Sequence, residues 1–197
     1  LKNLIIFLPL FLNYTSWSLI NYSKLILPVI FFSFIASSIY IINDLIDLET
    51  DQKHQFKKLR PIASGLIKFK TAIYISSGLA IISLLFFFKY SNFKVFILVF
   101  AYLLINIFYS VLIKKIKYLD ILFVASGFFI RIFIGSILSD LEISNFFISQ
   151  IILFSIFILI CKRREYFYIY DDRVNSKYNL EELNLFSKIF LILNILN

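Results

Sequence analysis

The sequence predicts an all-α protein whose helices span a membrane, and its composition is the first reason. Of its 197 residues, 60% are hydrophobic, 19% are aromatic and 16% are charged, and the mean hydropathy is +0.88. Soluble domains average about 45–50% apolar and about 25% charged residues, so a water-soluble globule is excluded. The second reason is run length, since a helix needs roughly 20 apolar residues to cross a bilayer core of about 30 Å.

Six apolar runs approach that length, and each is expected to form one spanning helix. They lie at 4–20, 25–43, 71–88, 93–113, 118–138 and 145–161. A seventh run begins near residue 185 and is cut off where the sequence stops. No repeat or shift in composition separates the runs, so residues 1–197 are expected to form a single membrane-embedded domain. Because the sequence begins and ends inside apolar runs, we expect this domain to be truncated at both ends.

The basic residues are divided unevenly between the two predicted faces of the membrane. The N-terminus and the polar loops 44–70, 114–117 and 162–184 share one face, which carries fifteen Lys and Arg residues against three on the other. Cytoplasmic loops are enriched in Lys and Arg, so this face is expected to be cytoplasmic. We attribute the net charge of +8 to these loops, and we expect no nucleic-acid partner. A multi-pass protein of the cell (inner) membrane is expected, and its oligomeric state stays open.

Three aspartates follow the second apolar run. Asp44, Asp47 and Asp51 lie at i, i+3 and i+7, which stacks them on one helix face, and Asn43 borders that face. Carboxylates this close repel one another unless a cation lies among them, and oxygen ligands at this density suit Mg²⁺. We therefore expect the three aspartates to bind Mg²⁺. The alternative is a solvated helical turn that only marks the membrane boundary.

A basic cluster follows the aspartates and includes Lys57, Lys58 and Arg60. A site for a magnesium diphosphate needs metal ligands on one side and Lys or Arg on the phosphate oxygens. These three side chains are therefore expected to bind substrate phosphates, Arg60 above all because Pro61 fixes the backbone beside it. The alternative is ordinary cytoplasmic charge. His54 is the only histidine, which excludes a histidine-rich metal site.

The fifth apolar run contains two charged residues on one helix face. Asp120, Gly127 and Arg131 recur at helical spacing along a stripe about 16 Å long. A charge at the bilayer centre costs at least about 2.5–3.5 kcal/mol, so Arg131 is expected to face a polar cavity or an anion. The alternative is that Arg131 extends to the interface, and that Gly127 only serves helix packing. Lys162, after the sixth run, either binds phosphate or only marks the end of that run.

These residues form motifs that resemble those of a known family. The first motif of the UbiA superfamily of membrane-embedded prenyltransferases is similar to Asn43-Asp44-x-x-Asp47-x-x-x-Asp51 followed by Arg60-Pro61-x-x-Ser64-Gly65. Within that superfamily, the segments Tyr109-Ser110, Leu119-Asp120 and Lys162-Arg163-Arg164 resemble the polyprenyl-phosphate phosphoribosyltransferases, typified by those that use decaprenyl phosphate. Members with aromatic acceptors carry a second Asp-x-x-x-Asp motif. Here Val124 stands four residues after Asp120, which favours the phosphoribosyl branch.

The resemblance implies a bundle of nine transmembrane helices around a central cavity. It also implies a Mg²⁺ cofactor, a diphosphate donor and a polyprenyl lipid acceptor at the cytoplasmic face, with a role in cell wall biosynthesis. The expected reaction transfers a 5-phosphoribosyl group from 5-phosphoribose-1-diphosphate to a polyprenyl phosphate. The implied catalytic residues are Asp44, Asp47, Asp51 and Asp120, of which the first three bind the metal. The implied substrate-binding residues are Asn43, Lys57, Lys58, Arg60, Arg131 and Lys162.

Two other functions stay open at this point. One keeps the metal site but transfers a prenyl group from a polyprenyl diphosphate to an aromatic acceptor such as 4-hydroxybenzoate. The other is a transporter or channel in which Arg131 and the acids form an ion path. The sequence lacks the Gly- or Pro-broken half-helices that mark many transporter sites, which favours a transferase.

Overall fold

The computed structural model describes residues 2–13, 19–170 and 178–196, and the described part contains helices and no strand. A 3-10 segment, Lys2–Phe7, leads into the first helix. The α-helices are α1 (Leu8–Leu12), α2 (Leu19–Ile46), α3 (Leu48–Lys53), α4 (Phe69–Tyr90), α5 (Phe93–Val111), α6 (Leu119–Ser139), α7 (Asn145–Tyr170) and α8 (Leu180–Leu196). The predicted all-α fold is confirmed.

Five described helical segments are long and apolar enough to span a bilayer. They are Ser23–Ile46, Phe69–Tyr90, Phe93–Val111, Leu119–Ser139 and Asn145–Glu165. They match the second to sixth predicted runs, and the chain is therefore an integral membrane protein. Lys89 lies in the last turn of α4, at one end of that apolar segment.

The first and last predicted runs differ from simple spans. Within 4–20 the structure has a short apolar helical segment, Lys2–Leu12, and residues 14–18 lie outside the described part. α8 begins at Leu180, before the predicted 185, because Glu181 and Glu182 occupy its first turn, where acidic side chains stabilise a helix N-terminus. The predicted loop 162–184 opens as helix, since α7 continues to Tyr170. Residues 171–177 of that loop, with Arg173, lie outside the described part.

The main core forms where α2 packs against α4, α5 and α6. Two serine hydroxyls bind backbone carbonyls between α2 and α4: Ser38 Oγ donates to Ser76 O (2.8 Å), and Ser83 Oγ donates to Phe31 O. Lipid tails are as apolar as the side chains of a membrane helix, so apolar contact alone does not drive two helices together. Polar contacts of this kind and close packing hold membrane helices together instead. α2 and α4 are thus fixed against each other on one side of α2.

The N-terminal segment packs against α6 at Gly135. A Cβ built on Gly135 would lie 2.0 Å from the carbonyl oxygen of Ile6, so only glycine permits this approach. Ile6 is fully buried at that contact. This packing brings the N-terminal residues Lys2 and Asn3 against the bundle, where both take part in the site described below.

A second apolar cluster joins α6, α7 and α8. Tyr178 and Leu183 are buried in it against Ile121, Ile156 and Ile160. The start of α8 is also held by an ion pair between Lys117 and Glu182. Their shared hydrogen bond raises the pKa of Lys117 and lowers that of Glu182. The segment after residue 177 is therefore attached to the beginning of α6.

Replacing Gly135 by alanine is expected to destabilise the protein by about 1–3 kcal/mol, because the new methyl group overpacks a contact between two backbones. The thermal midpoint of the detergent-solubilised protein, followed by loss of monodisperse protein on size exclusion, measures the effect. Gly78→Ala is the matched control, since nothing lies within 4 Å of a Cβ there. Equal midpoints for Gly135→Ala and Gly78→Ala would contradict the close approach at Ile6.

Candidate functional site

A cavity of about 540 Å³ is bounded by α2, α3, α5 and α6, by the loop residues Lys57, Lys114 and Lys115, and by single side chains from the N-terminal segment and α7. Its acidic lining residues are Asp47 and Asp51. Its basic lining residues are Lys2, Lys57, Lys114, Lys115, Arg131 and Arg163. Positive groups outnumber the carboxylates, so the cavity wall is suited to anions that carry several negative charges.

Asp44, Asp47 and Asp51 form an acidic stripe, which keeps the helical register that their spacing predicts. α2 gives way to α3 at Asp47, yet the amide of Asp47 donates to the carbonyl of Asn43 (2.9 Å) and the amide of Asp51 donates to the carbonyl of Asp47 (2.8 Å). The i to i+4 pattern therefore continues across the junction. Asn43, Asp47 and Asp51 line the cavity, whereas Asp44 is not part of its lining.

Two basic side chains from other segments pair with the stripe. Arg60 Nη1 donates to Asp44 Oδ1 (2.8 Å) and to Asp51 Oδ2 (2.7 Å). Lys114 forms an ion pair with Asp47. Because Asp51 is only 3% exposed, Arg60 compensates a carboxylate that is almost removed from water. The protein's own cations thus offset the repulsion within the stripe, and Arg60 itself lies outside the cavity lining.

The turn after Arg60 explains how its side chain is held. The amide of Ser64 donates to the carbonyl of Arg60 (2.8 Å), and the amide of Ile67 donates to the carbonyl of Pro61 (2.9 Å). Gly65 adopts a φ of +81°, a conformation that residues with side chains rarely take. The segment Arg60-Pro61-x-x-Ser64-Gly65 is therefore a compact turn that fixes the guanidinium opposite the aspartates.

Asp120 lies in the first turn of α6 and is fully buried. Its Oδ2 accepts a hydrogen bond from Arg163 Nη2 (2.9 Å), and its Oδ1 accepts one from the Tyr178 hydroxyl. Burial, together with this hydrogen bond, raises the pKa of Tyr178, so its hydroxyl stays a donor. Arg163 lines the cavity and Asp120 does not. Asp120 therefore acts on the cavity through Arg163.

Arg131 lines the deep part of the cavity and is 6% exposed. Its guanidinium donates to the Tyr102 hydroxyl (2.6 Å), the Gly127 carbonyl (2.7 Å) and Asn3 Oδ1 (3.1 Å). All three acceptors are neutral, and no carboxylate in the described part of the chain forms a salt bridge with Arg131. A positive charge held only by neutral groups therefore faces this end of the cavity.

The remaining predicted residues are divided between the cavity and its surroundings. Lys57 lines the cavity, whereas Lys58 is exposed outside its lining. Lys162 borders a separate cleft with Cys161. The imidazole Nδ1 of His54 accepts a hydrogen bond from the amide of Lys57 (3.4 Å), so His54 supports the loop. The structure thus brings Lys57 and Arg131 to one cavity, and Lys58 and Lys162 lie apart from it.

Three polar lining residues of α5 are not expected from the sequence as site residues: Tyr102 and Asn106 belong to no sequence motif, and Tyr109 appears only in the resemblance. Their spacing of four and three residues puts them on one helix face. An amide such as Asn106 within an apolar span is a signal that could have identified this face, since polar groups inside membranes usually face a cavity or a partner. Nothing in the sequence distinguishes Lys114 from the neighbouring lysines, because its significance lies in its pairing with Asp47.

The donor set at the cavity wall fits Mg²⁺ bound together with a phosphate group. Mg²⁺ in such sites usually takes one or two protein carboxylates, and waters and phosphate oxygens complete its octahedral shell. Asp47 and Asp51, with the amide of Asn43, supply oxygens of this kind. Among residues 2–13, 19–170 and 178–196, no three acidic, histidine or cysteine side chains form a metal cage by themselves. Of the four predicted acids, the cavity wall gathers Asp47 and Asp51, whereas Asp44 and Asp120 lie outside its lining.

Comparisons with known proteins give a family and several relatives. A family model described as "UbiA prenyltransferase family" matches residues 4–175. Uncharacterized protein y4nM of Sinorhizobium fredii is 30% identical over 167 residues, which are 82% of this chain and 31% of that protein.

Two further relatives are named decaprenyl-phosphate phosphoribosyltransferase. The protein of Mycolicibacterium smegmatis is 33% identical over 141 residues, which are 72% of this chain and 44% of that protein. The protein of Corynebacterium glutamicum is 31% identical over 133 residues, which are 67% of this chain and 40% of that protein. The chain therefore spans less than half the length of these relatives.

Replacing Arg60 by alanine is expected to loosen the turn at residues 60–67 and to destabilise the protein by about 1–2 kcal/mol, because Asp44 and Asp51 lose their shared partner. Hydrogen exchange of peptides covering residues 57–67 measures the effect. Lys58→Ala is the control, since it removes an exposed lysine from the same loop. Unchanged exchange in Arg60→Ala would contradict the bridging role of the guanidinium.

Proposed function

Because this chain belongs to the UbiA prenyltransferase family, we propose that it transfers a 5-phosphoribosyl group from 5-phosphoribose-1-diphosphate to a polyprenyl phosphate such as decaprenyl phosphate. The observation that carries the proposal is a single cavity in which Asp47 and Asp51 meet an excess of basic side chains. The names of the relatives from M. smegmatis and C. glutamicum support this choice of donor and acceptor.

The donor diphosphate binds at the acidic end of the cavity. Mg²⁺, held by Asp47 and Asp51 beside Asn43, would draw charge from the leaving diphosphate when it is bound. Lys57, Lys114 and Arg163 donate charge-assisted hydrogen bonds to phosphate oxygens. Lys114 then exchanges its pairing with Asp47 for one with the substrate. Asp44 contributes indirectly, since it holds Arg60 and thereby the adjacent loop.

The acceptor phosphate binds at the deep end of the cavity, against Arg131. Among the described residues, the charge of this guanidinium is offset only by neutral groups, namely three hydrogen-bond acceptors and the rings of Phe32, Tyr102 and Phe128, which suits it to an anion. Apolar side chains beside it, among them Ile39, Val124 and Phe128, also line the cavity and can contact the first isoprene units. This arrangement holds the two substrates at opposite ends of one space, with C1 of the ribose between them.

The reaction requires charge stabilisation more than proton transfer. A phosphate oxygen of the lipid forms a bond to C1 while the bond from C1 to the diphosphate breaks. The acceptor is already an anion at neutral pH, so no general base is needed, and the described cavity lining contains no histidine. Positive groups fixed around the leaving diphosphate stabilise the charge that develops on it in the transition state.

The proposed location is the cell (inner) membrane, with the cavity open to the cytoplasm. Asp47, Lys57, Lys114 and Arg163 all follow the cytoplasmic ends of their predicted spans, on the face with the larger number of basic residues. A charged, water-soluble donor reaches the site from this side, and the acceptor reaches it from the bilayer. Family membership favours this transferase over the transporter or channel considered from the sequence.

The full-length protein in nanodiscs is expected to move label from radiolabelled 5-phosphoribose-1-diphosphate into decaprenyl phosphate when Mg²⁺ is present. Extraction of labelled lipid into organic solvent measures the transfer. EDTA is expected to stop it, and Asp47→Ala is expected to slow it by about a hundredfold or more, because a group that stabilises the transition state is lost. Glu49→Ala is the control, since Glu49 is an exposed acid beside the stripe and outside the cavity lining.

Two results would contradict this proposal in different ways. Transfer from a polyprenyl diphosphate to 4-hydroxybenzoate, with none from the phosphoribosyl donor, would retain the family and replace the substrates. Ion flux across liposomes that does not depend on a diphosphate would indicate a transporter instead.

A further inference from the structure

We infer that Asp120 and Tyr178 are positioning residues for Arg163, and that Arg163 donates directly to a phosphate oxygen of the diphosphate donor. The inference rests on the proposed function and deepens it. It gives Asp120 an indirect role in place of the catalytic role that the resemblance implies, because the structure pairs this carboxylate with Arg163 and Tyr178.

Asp120 contacts the cavity through another side chain. It has no exposed surface, and both of its carboxylate oxygens accept hydrogen bonds, one from Arg163 and one from Tyr178. The cavity wall carries the guanidinium of Arg163 in its place. A buried carboxylate in this setting is stable only with such partners, so its charge serves to hold the arginine.

Tyr178 fixes the carboxylate from the opposite side. Its hydroxyl donates to Asp120 and accepts from the amide of Tyr118 (2.9 Å), which connects it to the backbone just before α6. Its ring is buried in the cluster that contains Leu183, so the residue is held at both ends. The orientation of the Asp120 carboxylate is therefore set by a residue 58 positions later in the chain.

Arg163 is the member of the basic triplet 162–164 that reaches the cavity. Lys162 and Arg164 border a separate cleft on α7. The side chain of Arg163 is 43% exposed and lies on the cavity wall. A guanidinium carries five N–H donors in a planar fork, so one held by Asp120 has further donors for phosphate. Fixing the fork in advance reduces the entropy lost when the phosphate binds.

The test measures binding of inorganic pyrophosphate to the full-length protein in nanodiscs by calorimetry, once with Mg²⁺ and once with EDTA. Asp120→Asn is expected to weaken binding by about tenfold in both conditions, because a positioning role does not require the metal. Arg163→Ala is expected to weaken it at least as much. The double variant is expected to be no weaker than Arg163→Ala, since both substitutions remove one interaction.

Two further variants separate positioning from a general loss of structure. Tyr178→Phe keeps the buried ring and removes only the hydroxyl, and it is expected to weaken pyrophosphate binding by about two- to threefold. Glu182→Gln loosens the same attachment of α8 without touching Asp120 and is expected to leave binding unchanged. Arg164→Ala, which removes a neighbouring positive charge outside the cavity, is expected to behave like Glu182→Gln.

Several results would overturn the inference. A loss in Asp120→Asn that appears only with Mg²⁺ would identify Asp120 as a metal ligand. Additive losses in the double variant, unchanged binding in Asp120→Asn, or no binding of pyrophosphate by the unmodified protein in EDTA would each exclude a positioning role. Failure of the proposed function would look different. If the variants bind pyrophosphate as expected but the protein transfers a prenyl group, this inference stands and only the proposed donor is replaced.

Discussion

The site depends on one constraint, which is that carboxylates at the edge of a low-dielectric membrane need cationic partners. A buried charge without a partner costs several kcal/mol, and here the partners come from distant segments. Arg60 bridges Asp44 and Asp51, and Arg163 holds Asp120. The same pairs that compensate the acids therefore hold the turn at residues 60–65 and helix α7 beside one cavity. A substrate that carries both a cation and anionic oxygens can replace both partners of such an ion pair. Its cation then binds the carboxylate, and its oxygens bind the Arg or Lys.

Much of the fold follows from local sequence. Long apolar runs predict spanning helices because backbone groups inside lipid must form their hydrogen bonds internally, and five such runs correspond to five described spans. The start of α8 at Leu180 differs from the predicted position because helix termini are set by first-turn residues such as Glu181. Hydropathy does not report this effect. Hydropathy does not predict the close approach at Gly135 either, since that contact depends on which backbone segment lies opposite the glycine.

Only the part of the site that depends on spacing along one helix can be predicted from the sequence. Spacing gives the common face of Asp44, Asp47 and Asp51, and the structure retains that register. It does not reveal that Asp44 pairs with Arg60 outside the cavity lining, because that pairing depends on a turn closed by Gly65. The distinction between a direct and an indirect role for each acid therefore lies in tertiary contacts.

The most direct test of this account is a structure of the full-length protein with inorganic pyrophosphate and Mn²⁺ in place of Mg²⁺, in which anomalous scattering locates the metal. We predict one metal peak between the carboxylates of Asp47 and Asp51 and the diphosphate oxygens, with Lys114 moved from Asp47 to the phosphate. A diphosphate bound elsewhere, or a metal coordinated by Asp120, would contradict it.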